Sequence, residues 1–408
     1  MKLWRKAGAR LDAGIERYTV GKDHRLDLEL LPFDLQASAA HAKMLHSCGY
    51  LSRAELSKLL RGLREAQRLH ARGRFPIRPQ DEDCHTAIEN FLTRRLGAVG
   101  GKIHTARSRN DQALTALRLL MKARLQEIGR STRRLQAAMA AFAARCVGLA
   151  MPGYTHMRKA MPTTVDTLAL AWRDMLEDDL VMLRAVLAVL DKSPLGSAAG
   201  FGVPLKIDRK RTARGMGFSA VQENPIHCAN SRARYEALAV QAAYGVMKTL
   251  NRAASDLALF TMSEFGFFRL APQHCTGSSI MPHKRNPDVL ELVRAQAHAV
   301  RGYLLWIDGL TLDRPSGYHR DYQLAKEPLL ESLRIAGESL EIMEKVFSGL
   351  SADPERLAAA MTEELYATEK ACRLVGKGVP FRQAYRLVAE GRGPNRGHVD
   401  CGSDPADA

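Results

Sequence analysis

The chain has 408 residues, and its 60 Lys and Arg residues against 44 Asp and Glu residues give a formal net charge of +16. This length suffices for one large domain or for two or three smaller ones, and a hydrophobic fraction of 46% is ordinary for a chain with a packed core. No apolar stretch reaches about 18 residues without a charge, so we expect no membrane span.

The basic surplus could attract nucleic acid, a membrane surface or an anionic small molecule. The basic residues are spread along the chain, without a long basic block or a basic motif interleaved with aromatic residues. We therefore expect an anionic small molecule as the ligand, with neither nucleic acid nor a membrane as partner. The seven cysteines form no CxxC pair, and the charged N-terminus has no apolar run behind it, so a reducing, cytoplasmic location is predicted.

Along the chain, apolar residues recur at steps of three and four, which is the spacing of one helix face. The stripes with this spacing are Leu114, Leu117, Met121, Leu125 and Ile128; Met247, Leu250, Ala254 and Leu257; and Leu333, Ala336, Leu340, Met343 and Phe347. Segments 164–192 and 287–308 are also helical in pattern, and strand-like alternation is scarce. The predicted fold class is therefore all-α, with five long helices in an up-and-down bundle.

The regions around these helices differ in composition. The stretches LQAAMAAFAARC and YEALAVQAAYG are rich in small residues, which a tight core within one chain would explain. Because the helices are too long for a single small core, a self-associating bundle is the favoured interpretation. The tail GRGPNRGHVDCGSDPADA (391–408) consists of Gly, Pro and charged residues and is predicted to be disordered.

Four polar segments interrupt the helical pattern. The first, GGKIHTARSRNDQ (100–112), precedes a long helix that Asn110 or Asp111 is predicted to cap. With Ser108 and Arg109 beside them, the donors at this helix start form a candidate carboxylate or phosphate site. A capped and solvated turn is the alternative interpretation.

The second segment, MPGYTHMRKAMPTT (151–164), places Thr155 and His156 between two prolines in a loop that opens a helix. An isolated histidine is more often structural than catalytic, but in a rigid polar loop it is a candidate proton carrier.

The third segment, TGSSIMPHKRNPD (276–288), offers Ser278, Ser279, Lys284 and Asn286. Its small residues suggest mobility, and its basic end suggests an anionic ligand. It contains neither a GxSxG elbow nor a Walker pattern, which argues against serine hydrolysis and nucleotide binding. A flexible surface loop is the alternative.

The fourth segment, PSGYHRDYQLAK (315–326), brings Tyr318, Gln323 and Lys326 to a loop–helix junction. Tyr318 can donate a hydrogen bond and Lys326 can neutralise a carboxylate, although the segment by itself is no different from an ordinary helix start.

In combination, the segments HTARSRNDQ, MPGYTHMRKAMP, SPLGSAAGFGVPLKIDR and GSSIMPHKRNPDVLEL resemble, in this order, the signatures of the argininosuccinate lyase branch of the aspartase/fumarase superfamily. FDLQASAAHAKML and DEDCHTAIE resemble its N-terminal segments, and LYATEKACRLVGKGVPFRQAY is similar to its C-terminal domain. The resemblance covers about residues 30–386; the GSS segment marks the superfamily and RSRNDQ the branch.

The resemblance implies an all-α protomer of three domains, here 1–105, 106–350 and 351–408, with the disordered tail in the last. The central five-helix bundles would form a twenty-helix homotetramer core with active sites shared between subunits. The implied reaction is the β-elimination of argininosuccinate to arginine and fumarate in arginine biosynthesis, which needs no metal or organic cofactor.

The resemblance also implies roles for individual residues. Ser278 would be the general base with its anion stabilised by Lys284, and His156, oriented by Glu291, would protonate the leaving nitrogen. The residues expected to hold the substrate are Ser108, Arg109, Asn110, Thr155, Asn286, Tyr318, Gln323 and Lys326, with Ser38 and His85 as weaker matches.

Two departures from the branch pattern affect these expectations. Ala106 stands where the branch has glycine, and a Cβ there is costly if the backbone has a positive φ. The segment ANSRARYE (229–236) lacks the acids of the branch's SDRD motif, which concerns recognition of the leaving amine. Three alternatives stay open: a lyase for another N-succinyl amine, a catalytically silent structural homologue, and a basic helical protein that binds RNA.

Overall fold

The structure, a computed structural model, describes residues 12–391, so all but the first residue of the tail predicted to be disordered lies outside the described residues. Within that range the chain forms fifteen α-helices: α1 (Ala13–Val20), α2 (Asp23–Ser47), α3 (Arg53–Ala71), α4 (Cys84–Leu96), α5 (Ala98–Gly101), α6 (Arg109–Arg145), α7 (Val165–Leu190), α8 (Arg209–Met216), α9 (Pro225–Asn230), α10 (Arg234–Phe260), α11 (Asp288–Gly309), α12 (Lys326–Ser348), α13 (Pro354–Ala360), α14 (Ala367–Val375) and α15 (Phe381–Ala389).

Five long helices coincide with the segments in which helical spacing was found, and the all-α prediction is confirmed. Helices α6, α7, α10, α11 and α12 have 37, 26, 27, 22 and 23 residues. Their apolar stripes are buried, as Leu117, Leu250 and Leu340 show. Helix α2, with 25 residues, was not found by its spacing, because its buried face includes the polar residues Asp27 and Asp34.

The strands are short and pair two by two. Across residues 12–391 they are β1 (Ala150–Thr155), β2 (Arg158–Thr164), β3 (Lys192–Ser193), β4 (Ala220–Val221), β5 (Phe268–Arg269), β6 (Thr276–Gly277), β7 (Arg285–Asn286) and β8 (Ser351–Ala352). The antiparallel hairpin β1–β2 pairs Ala150 with Thr164 and Thr155 with Arg158, and β6–β7 is a second, smaller hairpin. Both hairpins carry predicted site residues.

The described residues divide into two compact units. The first contains residues 12–137, 174–255 and 288–345, and the second contains residues 138–173, 256–287 and 346–391. None of the helices in the described range is both long enough and apolar enough to cross a bilayer.

In the first unit, the long helices approach one another closely. A Cβ added at Gly245 of α10 would lie 2.9 Å from the carboxylate of Asp179 on α7. Ala239 and Ala243 on α10 are fully buried within this chain. The small residues of α10 therefore serve packing inside the protomer.

The core of the second unit is aromatic. Phe142 packs edge-on against Phe268 and Phe347, with ring centroids 5.9 and 6.2 Å apart, and Trp172 packs against Phe347 at 5.7 Å. The Trp172 indole N–H donates to Asp256 at 3.1 Å, which satisfies the one polar group of this buried ring.

Candidate active site

A cavity of about 300 Å³ lies in the first unit beside the start of α6. Its lining residues are Asp81, Glu82, His85, Thr86, Glu89, His104, Arg107, Ser108, Arg109 and Gln112. Three of the predicted site residues, Ser108, Arg109 and His85, therefore share one cavity. Its guanidinium groups can attract a carboxylate and its carboxylates a cationic group, so it suits a ligand that carries both charges.

The guanidinium of Arg109 is fixed by two carboxylates that precede α4. Its Nη1 lies 2.8 Å from Glu82 Oε2, and its Nε donates to Asp83. Burial lowers the pKa of Arg109, but the charges of Asp83 and Glu82 outweigh it, so the pKa is raised overall. The Tyr318 phenol adds to this rise and therefore lies near the guanidinium.

The start of α6 is capped by Ser108, so the predicted cap at Asn110 or Asp111 was wrong. The Ser108 hydroxyl accepts the N–H of Asn110 at 3.3 Å, and Asp111 Oδ1 accepts the N–H of Ser108 at 2.9 Å. Asp111 Oδ2 also accepts the N–H groups of Gly196 and Ala198, both at 2.9 Å. Asp111 thus ties the helix start that presents Ser108 and Asn110 to the 196–198 loop.

Ala106, in the turn before this helix, has a φ of 60°. This is the left-handed region, which glycine adopts without strain. It explains why the branch has glycine at the position of Ala106. The turn is therefore held in a conformation that costs an alanine about 1–2 kcal/mol.

Ser38 belongs to a buried polar network below the cavity. Its hydroxyl donates to Asp34 at 3.3 Å and accepts from Arg107 Nη1 at 2.9 Å, while His85 Nδ1 lies 2.7 Å from Asp34. Burial lowers the pKa of His85, but the Asp34 carboxylate outweighs it and raises the pKa overall. Asp34 and His85 therefore form an ion pair, and Ser38 occupies the space between that pair and Arg107.

Lys326 is buried and doubly paired. Its Nζ lies 2.5 Å from Asp27 and 3.1 Å from Asp23, both on α2. Burial lowers the pKa of Lys326, but the charges of Asp27 and Asp23 outweigh burial, and the pKa of Lys326 is raised overall. The pKa of Asp23 is also raised, because burial is the largest effect on its carboxyl group. One ammonium is thus shared by two carboxylates.

The other two predicted residues of the 315–326 segment differ from Lys326. Gln323 is half-buried, and its amide donates to the carbonyls of Thr19 and Val20 at 3.1 and 3.2 Å. Tyr318 is exposed, with its ring 6.3 Å from that of Tyr322. Of the three predicted side chains of this segment, Tyr318 is the exposed one.

The two arginines of the 229–236 segment have different environments. Arg232 is buried, with Nε 3.1 Å from Glu236 Oε1 and Nη2 donating to the Tyr322 carbonyl at 3.2 Å. Arg234, the first residue of α10, is exposed. Glu291, predicted to orient His156, is exposed in the first turn of α11, where a carboxylate complements the helix dipole.

In the second unit, the GSS segment forms the tip of the β6–β7 hairpin. The Ser278 Oγ accepts the backbone N–H groups of Ile280 and Met281 at 3.3 and 3.1 Å. The Lys284 N–H donates to the Met281 carbonyl at 3.0 Å, and the Asn286 amide donates to the Gly277 carbonyl at 3.4 Å. The tip is therefore a hydrogen-bonded turn whose amides point at one serine oxygen.

Thr155 and His156 lie in the second unit at the tip of the β1–β2 hairpin, and β2 is followed at once by α7, so this segment opens a helix as expected. His156 and Met157 are the two central residues of the turn, with φ values of 51° and 59°. This is the geometry of a type I′ turn, in which Asn and Gly are the preferred residues. The exposed imidazole is thus displayed on a strained turn, a feature that often accompanies function.

A group of possible metal ligands, Asp27, Cys84 and His85, brings its donor atoms within 4.8 Å of one another in the first unit. Their chemistry does not suit a metal ion. Asp27 is bonded to Lys326, and the His85 Nδ1 to Asp34. Burial, together with Asp27 and Asp34, raises the pKa of the Cys84 thiol well above its ordinary value, so it stays protonated.

Several residues of the first unit were not singled out by sequence reasoning. Glu82 and Asp83 hold Arg109, Arg107 lines the cavity, and Asp27 neutralises Lys326. The one available signal was the acidic run in DEDCHTAIE, because three acids just before a helix exceed what one cap requires.

Comparisons with known proteins agree with one another. Residues 12–302 match the family described as Lyase. The argininosuccinate lyase of Thermotoga neapolitana is 47% identical over 95% of this chain and 98% of its own length, and that of Sorangium cellulosum is 44% identical over 95% and 90%. A crystal structure of EDDS lyase in complex with formate is similar with a TM-score of 0.80 and 27% identity, covering 93% of this chain and 76% of that one.

Proposed function

The chain belongs to the lyase family and, within it, to the argininosuccinate lyases, which split argininosuccinate into arginine and fumarate, and we propose that Ser278, Lys284, His156 and Glu291 carry out this reaction. The chain is accordingly a carbon–nitrogen lyase of the aspartase/fumarase superfamily, with a place in arginine biosynthesis. The assignment of its chemistry to individual residues is the proposal.

The chemical difficulty of this β-elimination is a developing charge. A proton leaves the carbon next to a carboxylate, and the resulting aci-carboxylate carries a second negative charge before the C–N bond breaks. Donors and cations fixed in advance must stabilise that charge, and one such donor is worth about 3 kcal/mol, or roughly a hundredfold in rate.

We propose that Ser278 removes the proton as an alkoxide. The observation that supports this most directly is the pair of N–H groups, from Ile280 and Met281, that donate to its Oγ. Donors to an oxyanion lower the pKa of its conjugate acid, and a closed, dry loop would strengthen them. The hairpin tip would close over the substrate as a lid, with Lys284 supplying the positive charge.

Protonation of the leaving nitrogen is assigned to His156. Its display on a strained turn supports this role, and Glu291 would orient the imidazole. Thr155, Asn286, Ser108, Asn110 and Arg109 would hold the succinyl carboxylates. Tyr318 and Gln323 would contact the remainder of the substrate.

For Lys326 and Ser38, the contacts in this protomer support an indirect contribution. Both side chains are buried, Lys326 between Asp27 and Asp23 and Ser38 between Asp34 and Arg107. We propose that they support the wall of the cavity that contains Arg109, and that contact with the substrate is secondary for both.

We further propose a cytoplasmic homotetramer of three-domain protomers with active sites shared between subunits. Large apolar side chains are exposed on two of the long helices, which supports this assembly. They are Val181 and Met182 on α7 and Leu292, Leu305 and Trp306 on α11. Burial of this surface by other copies would remove an unfavourable contact with water.

The proposal is tested by mixing the purified protein with argininosuccinate and following the ultraviolet absorbance of fumarate. We expect fumarate and arginine to appear in equal amounts. Fumarate from a different N-succinyl amine, and none from argininosuccinate, would reassign the amine half of the substrate. Absence of fumarate with every adduct would indicate a catalytically silent homologue.

A further inference from the structure

A strongly basic groove of about 660 Å³ lies between α3 and the last turn of α4 in the first unit. Its lining residues, all in the described part of the chain, include six cations and one carboxylate. The cations are Lys58, Arg61, Arg64, Arg68, Arg94 and Arg95, and the carboxylate is Glu65. None of these residues belongs to the predicted active site, and the basic residues of two helices meet here.

Two features shape α3 at this groove, a capping box at the start of the helix and a glycine, Gly62, within it. Ser52 begins α3 with a capping box, in which its hydroxyl accepts the Glu55 N–H at 3.2 Å and the Glu55 carboxylate accepts the Ser52 N–H at 2.8 Å. A Cβ added at Gly62 would lie 2.6 Å from the side chain of Leu92 on α4. Because Gly62 has no side chain, α3 packs close enough to α4 to bring the arginines of both helices together.

The charge in the groove is poorly compensated. Arg95 pairs with Glu65 at 2.8 Å, and Arg61 donates to the Ser57 hydroxyl at 3.1 Å. Among the described residues, Arg64, Arg68 and Arg94 have no carboxylate partner. Like charges three or four residues apart on a helix repel and destabilise it, so the arrangement is unfavourable without an anion.

We propose that this groove binds a small molecule with two or more linked phosphate groups. Arginine forks bind phosphate oxygens in bidentate pairs, and several arginines facing one groove match a multiply charged anion better than a monovalent one. The volume lies within the range of small-molecule sites. The lining residues include no aromatic side chain on which nucleobases could stack, which favours a small polyphosphate over single-stranded nucleic acid.

The test is isothermal titration calorimetry with inorganic triphosphate at physiological salt, compared with inorganic monophosphate. We expect one triphosphate per chain, bound about tenfold or more tightly than monophosphate, because each charge-assisted contact contributes on the order of a factor of ten. In the double variant Arg64→Gln/Arg68→Gln the affinity should fall about tenfold or more, while fumarate formation is unchanged.

Arg382 and Arg386 provide the matched control, since they are also exposed arginines four residues apart on a helix, α15. Arg382→Gln/Arg386→Gln should leave triphosphate binding essentially unchanged. An equal loss in both double variants would show general charge attraction and overturn the proposal, as would the absence of saturable binding to the wild type. A single-stranded oligonucleotide that binds where triphosphate does not would assign the groove to nucleic acid instead.

Discussion

The ammonium of Lys326 lies 2.5 Å from a carboxylate oxygen of Asp27, a residue 299 positions earlier in the chain. Both side chains are buried, and Asp23 forms a second ion pair with the same ammonium. Burial raises the pKa of Asp27, but the charges of Lys326 and His85 and the hydrogen bonds from Lys326 and the Cys84 N–H together outweigh it, and the pKa is lowered overall. The pair therefore joins the start of α12 to α2.

Replacement of Lys326 by methionine should destabilise the protein by about 3–5 kcal/mol, because two buried carboxylates lose their cation. Urea unfolding measures this change. Adding Asp27→Asn to Lys326→Met should recover most of the loss, since it removes one of the uncompensated charges. If Lys326→Met keeps its unfolding midpoint but forms no fumarate, Lys326 contacts the substrate directly and its structural role is refuted.

Replacement of Ser278 by alanine should lower the rate of fumarate formation by about a hundredfold or more, the contribution of a general base. The matched control is Ser279→Ala, an exposed hydroxyl in the same hairpin tip, which should keep most of the activity. Size-exclusion chromatography should give the same oligomeric state for both variants. Near-normal turnover by Ser278→Ala would exclude this serine as the base.

Replacement of Ala106 by glycine should stabilise the fold by about 1 kcal/mol, because its φ of 60° is unfavourable for a residue with a Cβ. Ala137→Gly is the control. Ala137 is a solvent-exposed residue in the middle of α6, and its replacement by glycine should destabilise the protein by about 1 kcal/mol. Thermal unfolding should show shifts of opposite sign. A destabilised Ala106→Gly variant would contradict the assigned strain.

His41 should make the protein sensitive to acid. Burial and the neighbouring Arg107 lower its pKa from 6.5 to about 3. The hydrogen bond between His41 Nε2 and the Thr105 carbonyl, at 2.8 Å, opposes this shift. The unfolded chain therefore takes up a proton that the folded chain excludes, so this contribution to stability is present above pH 6.5 and is lost as the pH falls toward 3.

At pH 5 the free energy of unfolding should be lower by about 2 kcal/mol, because this pH lies about 1.5 units below the pKa of histidine in the unfolded chain. It is measured as the change in the free energy of unfolding between pH 8 and pH 5. His41→Gln places an amide N–H near the position of Nε2 and does not titrate, so it should lose less stability over this interval. An identical pH dependence in both proteins would mean that His41 is not the responsible group.

The long helices α6, α7, α10, α11 and α12 were predictable from the sequence, because a stripe of apolar residues at steps of three and four reports a buried helix face locally. The polar segments were also recognisable, since hydroxyl, amide and guanidinium groups clustered at helix starts are unusual in loops. Helix α2 was not predicted, because Asp27 and Asp34 interrupt the apolar face that it buries.

Only the tertiary structure decided which polar groups are paired with each other. Lys326 and Ser38 have the same chemistry as ligand-binding residues, but Lys326 is paired with Asp27, 299 positions earlier, and Ser38 accepts from Arg107, 69 positions later. The groove of α3 and α4 arises in the same way, from the close contact that Gly62 allows. Periodicity reports which face of a helix is buried, whereas ion pairs and charged surfaces depend on which helices the fold brings together, and no local pattern contains that information.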